Sequence, residues 1–293
     1  MLSKQTILVT GSNGQLGSEL KELAPLYTAF EFVFLTRNEL TLSDDSDIRK
    51  IIAAYTPQYV INCGAYTAVD KAESEREEAF QVNAKSVGIL AKACSETGAK
   101  FIHISTDYVF DGTRQMPLKE DDSVNPINVY GESKLAGERA ALNNNRDSII
   151  IRTSWVYSFY GKNFVKTMIR LMAEKETISV VNDQWGSPTY AADLAKAILQ
   201  IIQADNWYPG IYHFSNEGVI TWYEFAKEIG SLLQTSCTIQ PTTTANFPTP
   251  AKRPLYSVMD KSKIQQQYSI GLKQWQESLQ ECLRKLKENA SFH

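Results

Sequence analysis

Short β-branched and aromatic runs alternate along the first half of the chain with longer segments whose apolar positions recur every three or four residues. Ile7-Leu8-Val9, Phe32–Leu35, Tyr59–Asn62, Phe101–Ile104 and Ser148–Ile151 have the length and composition of strands. Between them, Gln15–Ala24 places Leu16, Leu20 and Leu23 on one helical face. Asp47–Tyr55, Ala72–Thr97 and Tyr130–Leu142 also read as helices, and Gly98 is the expected stop of the third. Strands without polar alternation are covered on both faces, so the sheet is expected to be parallel. Right-handed crossovers then make a doubly wound α/β fold of Rossmann type. The pattern loosens after Trp155. Helices are expected at Phe164–Met172, Ala191–Gln203 and Trp222–Leu233, strands at Ile178–Val181 and Tyr212–Phe214, and an ordered proline- and threonine-rich loop at Gln240–Pro254. Trp275–Lys287 closes the chain as an amphipathic helix with Trp275, Leu279, Cys282, Leu283 and Leu286 inward.

Composition narrows the class of protein. The chain has 293 residues, 43% hydrophobic and 22% charged, which is ordinary for a globular protein. A net charge of −3 offers no basic excess for a phosphate backbone, so nucleic acid is not an expected partner. No apolar run approaches the ~20 residues that span a bilayer, and the segment from Met1 lacks the long apolar stretch of a signal peptide. Cys63, Cys94, Cys237 and Cys282 are scattered without a CxxC, and His103, His213 and His293 are far apart. Free thiols in a reducing, cytoplasmic compartment are expected, with no metal site.

Three elements carry chemistry. The first is Thr10-Gly11-Ser12-Asn13-Gly14-Gln15-Leu16-Gly17, a G-x-x-G-x-x-G turn after a strand and opening a helix. Gly11 permits the sharp turn, Gly14 lets a pyrophosphate approach the backbone, and Gly17 allows tight packing; the free N–H groups of the helix start hold the anion. Arg37 follows the second strand, where an acidic residue would bind the ribose of NAD and an arginine accepts a 2′-phosphate. A solvated surface arginine is the alternative. Thr41 and Leu42 lie where the adenine end would reach. The second element is Tyr130-Gly-Glu-Ser-Lys134, whose ends share a helix face. Lys134 is expected to lower the Tyr130 pKa, so that the phenol donates a proton to a carbonyl oxygen as hydride arrives. The third is Ser105-Thr106-Asp107 after the fourth strand, where either hydroxyl can polarise that oxygen.

With these elements in place the chain resembles the extended short-chain dehydrogenases/reductases, and within them the dTDP-4-dehydrorhamnose reductase family. The resembling segments run from Thr10–Gly17 through Asn62–Glu73, Ser105–Gly112, Asn128–Glu138, Arg152–Tyr157 and Asn182–Thr189 to Pro250–Pro254. The resemblance implies reduction of the C4 ketone of dTDP-4-dehydro-L-rhamnose by NADPH, with NADH as the alternative, for bacterial cell-surface polysaccharide. It implies Tyr130 as proton donor, Lys134 as its partner and Thr106 as the third hydroxyl. Gly14, Gln15 and Leu16 would meet the pyrophosphate, and Ala65, Tyr66 and Thr67 would flank the cofactor. Thr106, Asp107, Trp155 and Arg253 would contact the sugar nucleotide. Residues 1–154 would form the dinucleotide domain, with 190–206 packing back on it, and 155–189 and 207–293 the nucleotide-sugar domain. Two departures stand out. Thr41 replaces an aspartate common in the family. Some members bind magnesium at a dimer interface; Glu19 matches one of its glutamates, whereas Ala192 stands at the other, so neither the metal nor that dimer is expected. The apolar outer faces leave room for a homodimer. A dehydratase is disfavoured because Tyr108, not a second carboxylate, follows Asp107. An epimerase of the superfamily and a non-catalytic NADP-binding subunit remain the alternatives.

Overall fold

A computed structural model describes residues 4–290; Met1–Ser3 and residues 291–293, including His293, lie outside the described residues. The expected parallel sheet is present. Strands β1 (Gln5–Thr10), β2 (Phe30–Leu35), β3 (Tyr59–Asn62), β4 (Lys100–Thr106) and β5 (Ile149–Thr153) form it together with Gly210–Phe214. Across the sheet the order is β2, β1, β3, β4, β5 and then Gly210–Phe214, all parallel. Strand order therefore reverses between β1 and β3, and ligands of such sheets bind outside the carboxyl edge at that point.

Alternation along the strands separates two cores. Ile7, Val9, Ile61, Ile102, Ile149 and Ile151 face helix α1 (Gln15–Leu23) and the helix Ala191–Gln203. Leu8, Val60, Phe101 and Ile150 face α2 (Asp45–Tyr55) and α5 (Ser86–Thr97), with α6 (Val129–Asn144) beyond. A separate core gathers the later chain around Tyr157, Met168, Ile178, Phe225, Trp275 and Leu279.

Three expectations are corrected. The single helix expected over Ala72–Thr97 is broken into α3 (Val69–Ala72), α4 (Arg76–Phe80), a π-helical turn at Gln81–Lys85, and α5. The π turn turns Asn83 inward, where its side chain bonds the Tyr66 backbone and Ser133, contacts a regular helix would not supply. Gly210–Phe214, expected in the second domain, is instead the sixth strand of the main sheet, at its edge beside β5, where its buried Tyr212, His213 and Phe214 are covered on both faces. The Gln240–Pro254 loop begins within a strand, Thr238–Thr242, that pairs in parallel with Thr177–Val181; Pro241 is tolerated on this two-stranded edge.

Helix α6 comes unusually close to its neighbours. A Cβ on Gly131 would stand 2.2 Å from the Tyr108 carbonyl oxygen, and one on Gly137 would stand 2.0 Å from the Asn83 carbonyl oxygen. Alanine normally stabilises a helix relative to glycine by about 1 kcal/mol. Here that sign should reverse: Gly137→Ala is expected to lose about 1–3 kcal/mol in chemical denaturation, since backbone must move. Gly271→Ala, with open space around it, should stay within about 0.5 kcal/mol of the parent.

Candidate active site

The glycine turn sits at the reversal point. Gly11 has φ +63°, and a Cβ there would lie 2.6 Å from the Gly64 nitrogen, so the turn and the loop after β3 touch backbone to backbone. A Cβ on Gly17 would lie 2.6 Å from both the Gly11 oxygen and Ser12 Cα; this glycine closes the turn on itself rather than on the strand. Gly14 is the N-cap of α1, and no side chain caps that helix, which leaves its first N–H groups for an anion. Leu16 is buried beneath the turn, while the Gln15 side chain reaches Val156 O and Asn163. A backbone cradle narrowed by glycines and an uncapped helix start is what a dinucleotide pyrophosphate fits.

The flanking candidates divide. Leu42 packs where a Gly64 side chain would otherwise stand. Thr41 is exposed and its N–H is taken by Asp47 at 3.0 Å. Arg37 is 87% exposed, with Glu78 at 3.7 Å as its only ion-pair contact among the described residues, so the guanidinium is free to turn towards a phosphate. Ala65 and Tyr66 are half-buried and Thr67 exposed in the loop after β3. Tyr66 donates its hydroxyl to Glu75, which pushes the phenol up to about 12.

Asn128 caps α6 by accepting from Gly131 N at 2.7 Å, and so places Tyr130 in the first turn and Lys134 one turn on. Lys134 is only 2% exposed. Its Nζ donates to Ile104 O at 2.6 Å and meets His103 Nε2 at 3.3 Å. Burial pulls it down to about 8, against the support of Glu138 and Cys63. Tyr130 departs from expectation: burial and the nearby Asp107 charge push it up to about 12, countered only by the Thr106 hydroxyl. Lys134 does not lower it here because its ammonium is turned back to the sheet. The phenol is thus held protonated, with the Tyr108 ring edge-on at 5.8 Å.

Ser105 and Thr106, equivalent in the sequence, are separated by the strand. Ser105 donates to Glu138 at 2.5 Å on the α6 side. Thr106 caps the next turn, accepting from Tyr108 N at 3.2 Å and donating to Asp107 at 3.0 Å. Asp107 is 2% exposed, and its Oδ2 is buried without a hydrogen-bond partner. Burial pushes this carboxyl up to about 6, against the Ser257 and Thr106 hydroxyls. Trp155 has φ +48°, stacks on Trp222 at 3.7 Å and lies so close to Gly186 that a Cβ there would come within 2.6 Å of the indole. Arg253 forms a two-point pair with Asp70 at 2.9 and 3.1 Å, which holds Asp70 below the usual carboxylate range. Glu19, 2% exposed, accepts from Ser158 at 2.5 Å and pairs with Lys285 at 3.5 Å, while Ala192 is buried in the helix that starts at Ala191.

Sequence reasoning missed Asn83, Asp70 and His103. Asn83 locks the loop after β3 to α6, and nothing in its sequence setting marks the π turn that presents it. Asp70 had a signal, an acidic residue within the resembling Asn62–Glu73 segment, but its partner lies 183 residues away. His103 appeared only as an isolated histidine in a strand.

Fold and site together define an NAD(P)-binding oxidoreductase of the short-chain dehydrogenase/reductase class. A family model described as RmlD substrate binding domain matches residues 5–288. The chain is 42% identical over 292 residues to the dTDP-4-dehydrorhamnose reductase of Escherichia coli (strain K12), covering 96% of this chain and 97% of that protein. It is 40% identical to the spore coat polysaccharide biosynthesis protein SpsK of Bacillus subtilis (strain 168), covering 95% and 96%. The crystal structure of dTDP-4-dehydrorhamnose reductase from Bacillus anthracis str. Ames in complex with NADP matches with a TM-score of 0.93 at 40% identity, covering 97% of this chain and all of that one. The chain belongs to the dTDP-4-dehydrorhamnose reductase family. Among the described residues no helix is long and apolar enough to cross a membrane.

The Asp107 shift has a consequence for stability. Its folded pKa lies above the unfolded value of about 4, so the folded state binds the extra proton between the two. Stability from this residue is full below about pH 4 and is lost as pH rises through about 6. Asp107→Asn should therefore gain on the parent above pH 6, by on the order of 2–3 kcal/mol at most, and the gain should vanish near pH 4. Urea denaturation at a series of pH values measures it.

Proposed function

We propose that Tyr130, Lys134 and Thr106 carry the chemistry of this chain. The reaction is the NAD(P)H-dependent reduction of the C4 ketone of dTDP-4-dehydro-L-rhamnose to dTDP-L-rhamnose. One observation carries the assignment of roles: a half-buried, protonated tyrosine stands beside the Thr106 hydroxyl at the carboxyl edge of the sheet, one helical turn from a buried lysine and near the glycine turn.

A nicotinamide cofactor, when bound, would supply the hydride for C4. Tyr130 gives its phenolic proton to the oxygen on which negative charge develops, and Thr106 hydrogen-bonds the same oxygen. The Lys134 ammonium commits two of its N–H groups to Ile104 O and His103, and its third would hold the ribose of a bound nicotinamide cofactor. Asp107 Oδ2, buried and unpartnered, is suited to accept from a sugar hydroxyl. The half-buried Trp155 indole, held by Trp222 and Gly186, provides an apolar edge for the sugar. The Arg253 guanidinium, already oriented by Asp70, faces the diphosphate. The backbone at Gly11–Gly17 with Gln15 and Leu16 would hold the cofactor pyrophosphate, and Leu42, Ala65, Tyr66 and Thr67 would flank it. Arg37 selects NADPH over NADH through the 2′-phosphate.

Consumption of NADPH is followed by absorbance with enzymatically generated dTDP-4-dehydro-L-rhamnose, with dTDP-L-rhamnose identified as product. Tyr130→Phe keeps the ring and removes the proton. Turnover should fall at least ~10²-fold with NADPH binding unchanged; near-parental turnover would remove Tyr130 from the mechanism.

Cofactor choice is tested separately. Arg37→Ala should raise the KM for NADPH about tenfold, the worth of one exposed charge-assisted contact, and leave that for NADH within about twofold. An equal change for both cofactors would remove Arg37 from the phosphate site.

A further inference from the structure

One α6-facing position on each of three adjacent strands is polar: Thr10 on β1, Asn62 on β3 and His103 on β4. The sheet register makes them direct neighbours, Thr10 opposite Asn62 and Asn62 opposite His103. All three are at most 1% exposed. Their side chains form one hydrogen-bonded chain, Thr10 Oγ1 to Asn62 Oδ1 at 2.6 Å, Asn62 Nδ2 to His103 Nδ1 at 3.0 Å, and His103 Nε2 to Lys134 Nζ at 3.3 Å. The Gly64 N–H reaches the same Thr10 hydroxyl at 3.4 Å, so the row runs from the loop beside the glycine turn to the lysine.

We infer that His103 is a positioning residue for the reduction, accepting a hydrogen bond from the Lys134 ammonium through a tautomer that Asn62 holds. The inference rests on the role given above to Lys134. An ammonium has donors only, so a charged Lys134 requires a lone pair on His103 Nε2 and the ring proton on Nδ1. Asn62 must then present its oxygen to Nδ1 and its NH₂ to Thr10. With the amide turned the other way, Nδ1 is the acceptor, the ring proton sits on Nε2, and only a neutral Lys134 can accept it. The row thus has two proton arrangements, related by a turn of one amide, and each matches one charge state of the lysine.

The other groups around Lys134 do not replace this contact. Cys63, from the end of β3, is a thiol that burial pushes far up and keeps neutral. Glu138 lies one turn further along α6, but both its oxygens are held by Arg152 of β5, at 2.9 and 2.8 Å, and Ser105 of β4 shares one of them. Tyr130 precedes Lys134 by one turn and is held protonated. Burial drives His103 itself well below its ordinary value, so it stays neutral and available as an acceptor.

The test uses three variants at one position and a control. Burial pulls Lys134 down to about 8 and pushes Tyr130 up to about 12, so loss of the lysine charge is expected to set the alkaline limb of kcat. His103→Leu removes the acceptor. His103→Asn keeps an amide beside Asn62 but is too short to reach Nζ. His103→Gln carries an oxygen to about the place of Nε2. The first two should move the alkaline limb down by about one pH unit and lower kcat at neutral pH about tenfold, with the sugar KM within about twofold; His103→Gln should restore the limb. An unchanged NADPH Kd marks each variant as folded, and if His103→Leu fails this, His103→Asn alone decides. An unmoved limb in His103→Asn, while Lys134→Met abolishes turnover, overturns the inference and leaves the site intact. Near-parental turnover in Lys134→Met overturns the reading of the site on which the inference rests.

Discussion

The burial of one ammonium governs the arrangement. Lys134 is 2% exposed, and a charge taken out of water to that degree survives only if donors meet acceptors on every available side. The acceptors come from the sheet: the Ile104 carbonyl and the His103 ring. For α6 to deliver the lysine to them it must lie almost on its neighbours, and Gly131 and Gly137 permit that approach, against the Tyr108 and Asn83 carbonyls. The π turn that carries Asn83, the capping by Asn128 and the loop after β3 are held to the same helix.

One stripe of α6 then organises the polar groups of the sheet. Tyr130, Lys134 and Glu138 recur at four-residue intervals. Tyr130 meets the hydroxyl at the end of β4, Lys134 meets the row Thr10–Asn62–His103, and Glu138 meets a second row of neighbours, Ser105 and Arg152, with His213 next in register. Arg152 and Glu138 are each 2% exposed and joined at two points. Breaking either partner would strand a buried charge, so this pair serves as a rigid base one turn behind the lysine rather than as a source of net stability.

The later chain completes the cleft through contacts distant in sequence. Arg253 meets Asp70, Asn128 meets the Lys252 carbonyl, and Trp155 with its left-handed backbone is fixed between Trp222 and Gly186. Such strained backbone persists only where surroundings over-determine it. The Gly210–Phe214 strand and the Ser262–Tyr268 helix, whose Ile264 and Tyr268 join the core of the α1 face, tie the later chain back to the main sheet.

The strands β1 to β5, the glycine turn, the Tyr130–Lys134 spacing and most helices of the later chain were legible in the sequence, because each depends on local periodicity or on residues within a few positions of one another. So was the family, from motifs spread over nearly the whole chain. The breaks in Ala72–Thr97, the sixth strand and the separation of Ser105 from Thr106 were not, since each is decided by a partner from another element. The tyrosine pKa shows the difference most plainly. Spacing put a lysine one turn away and implied a lowered value. Burial and Asp107 raised it instead, and an ammonium turned towards the sheet does not offset them, because desolvation and the direction of a charged group are properties of the packed interior.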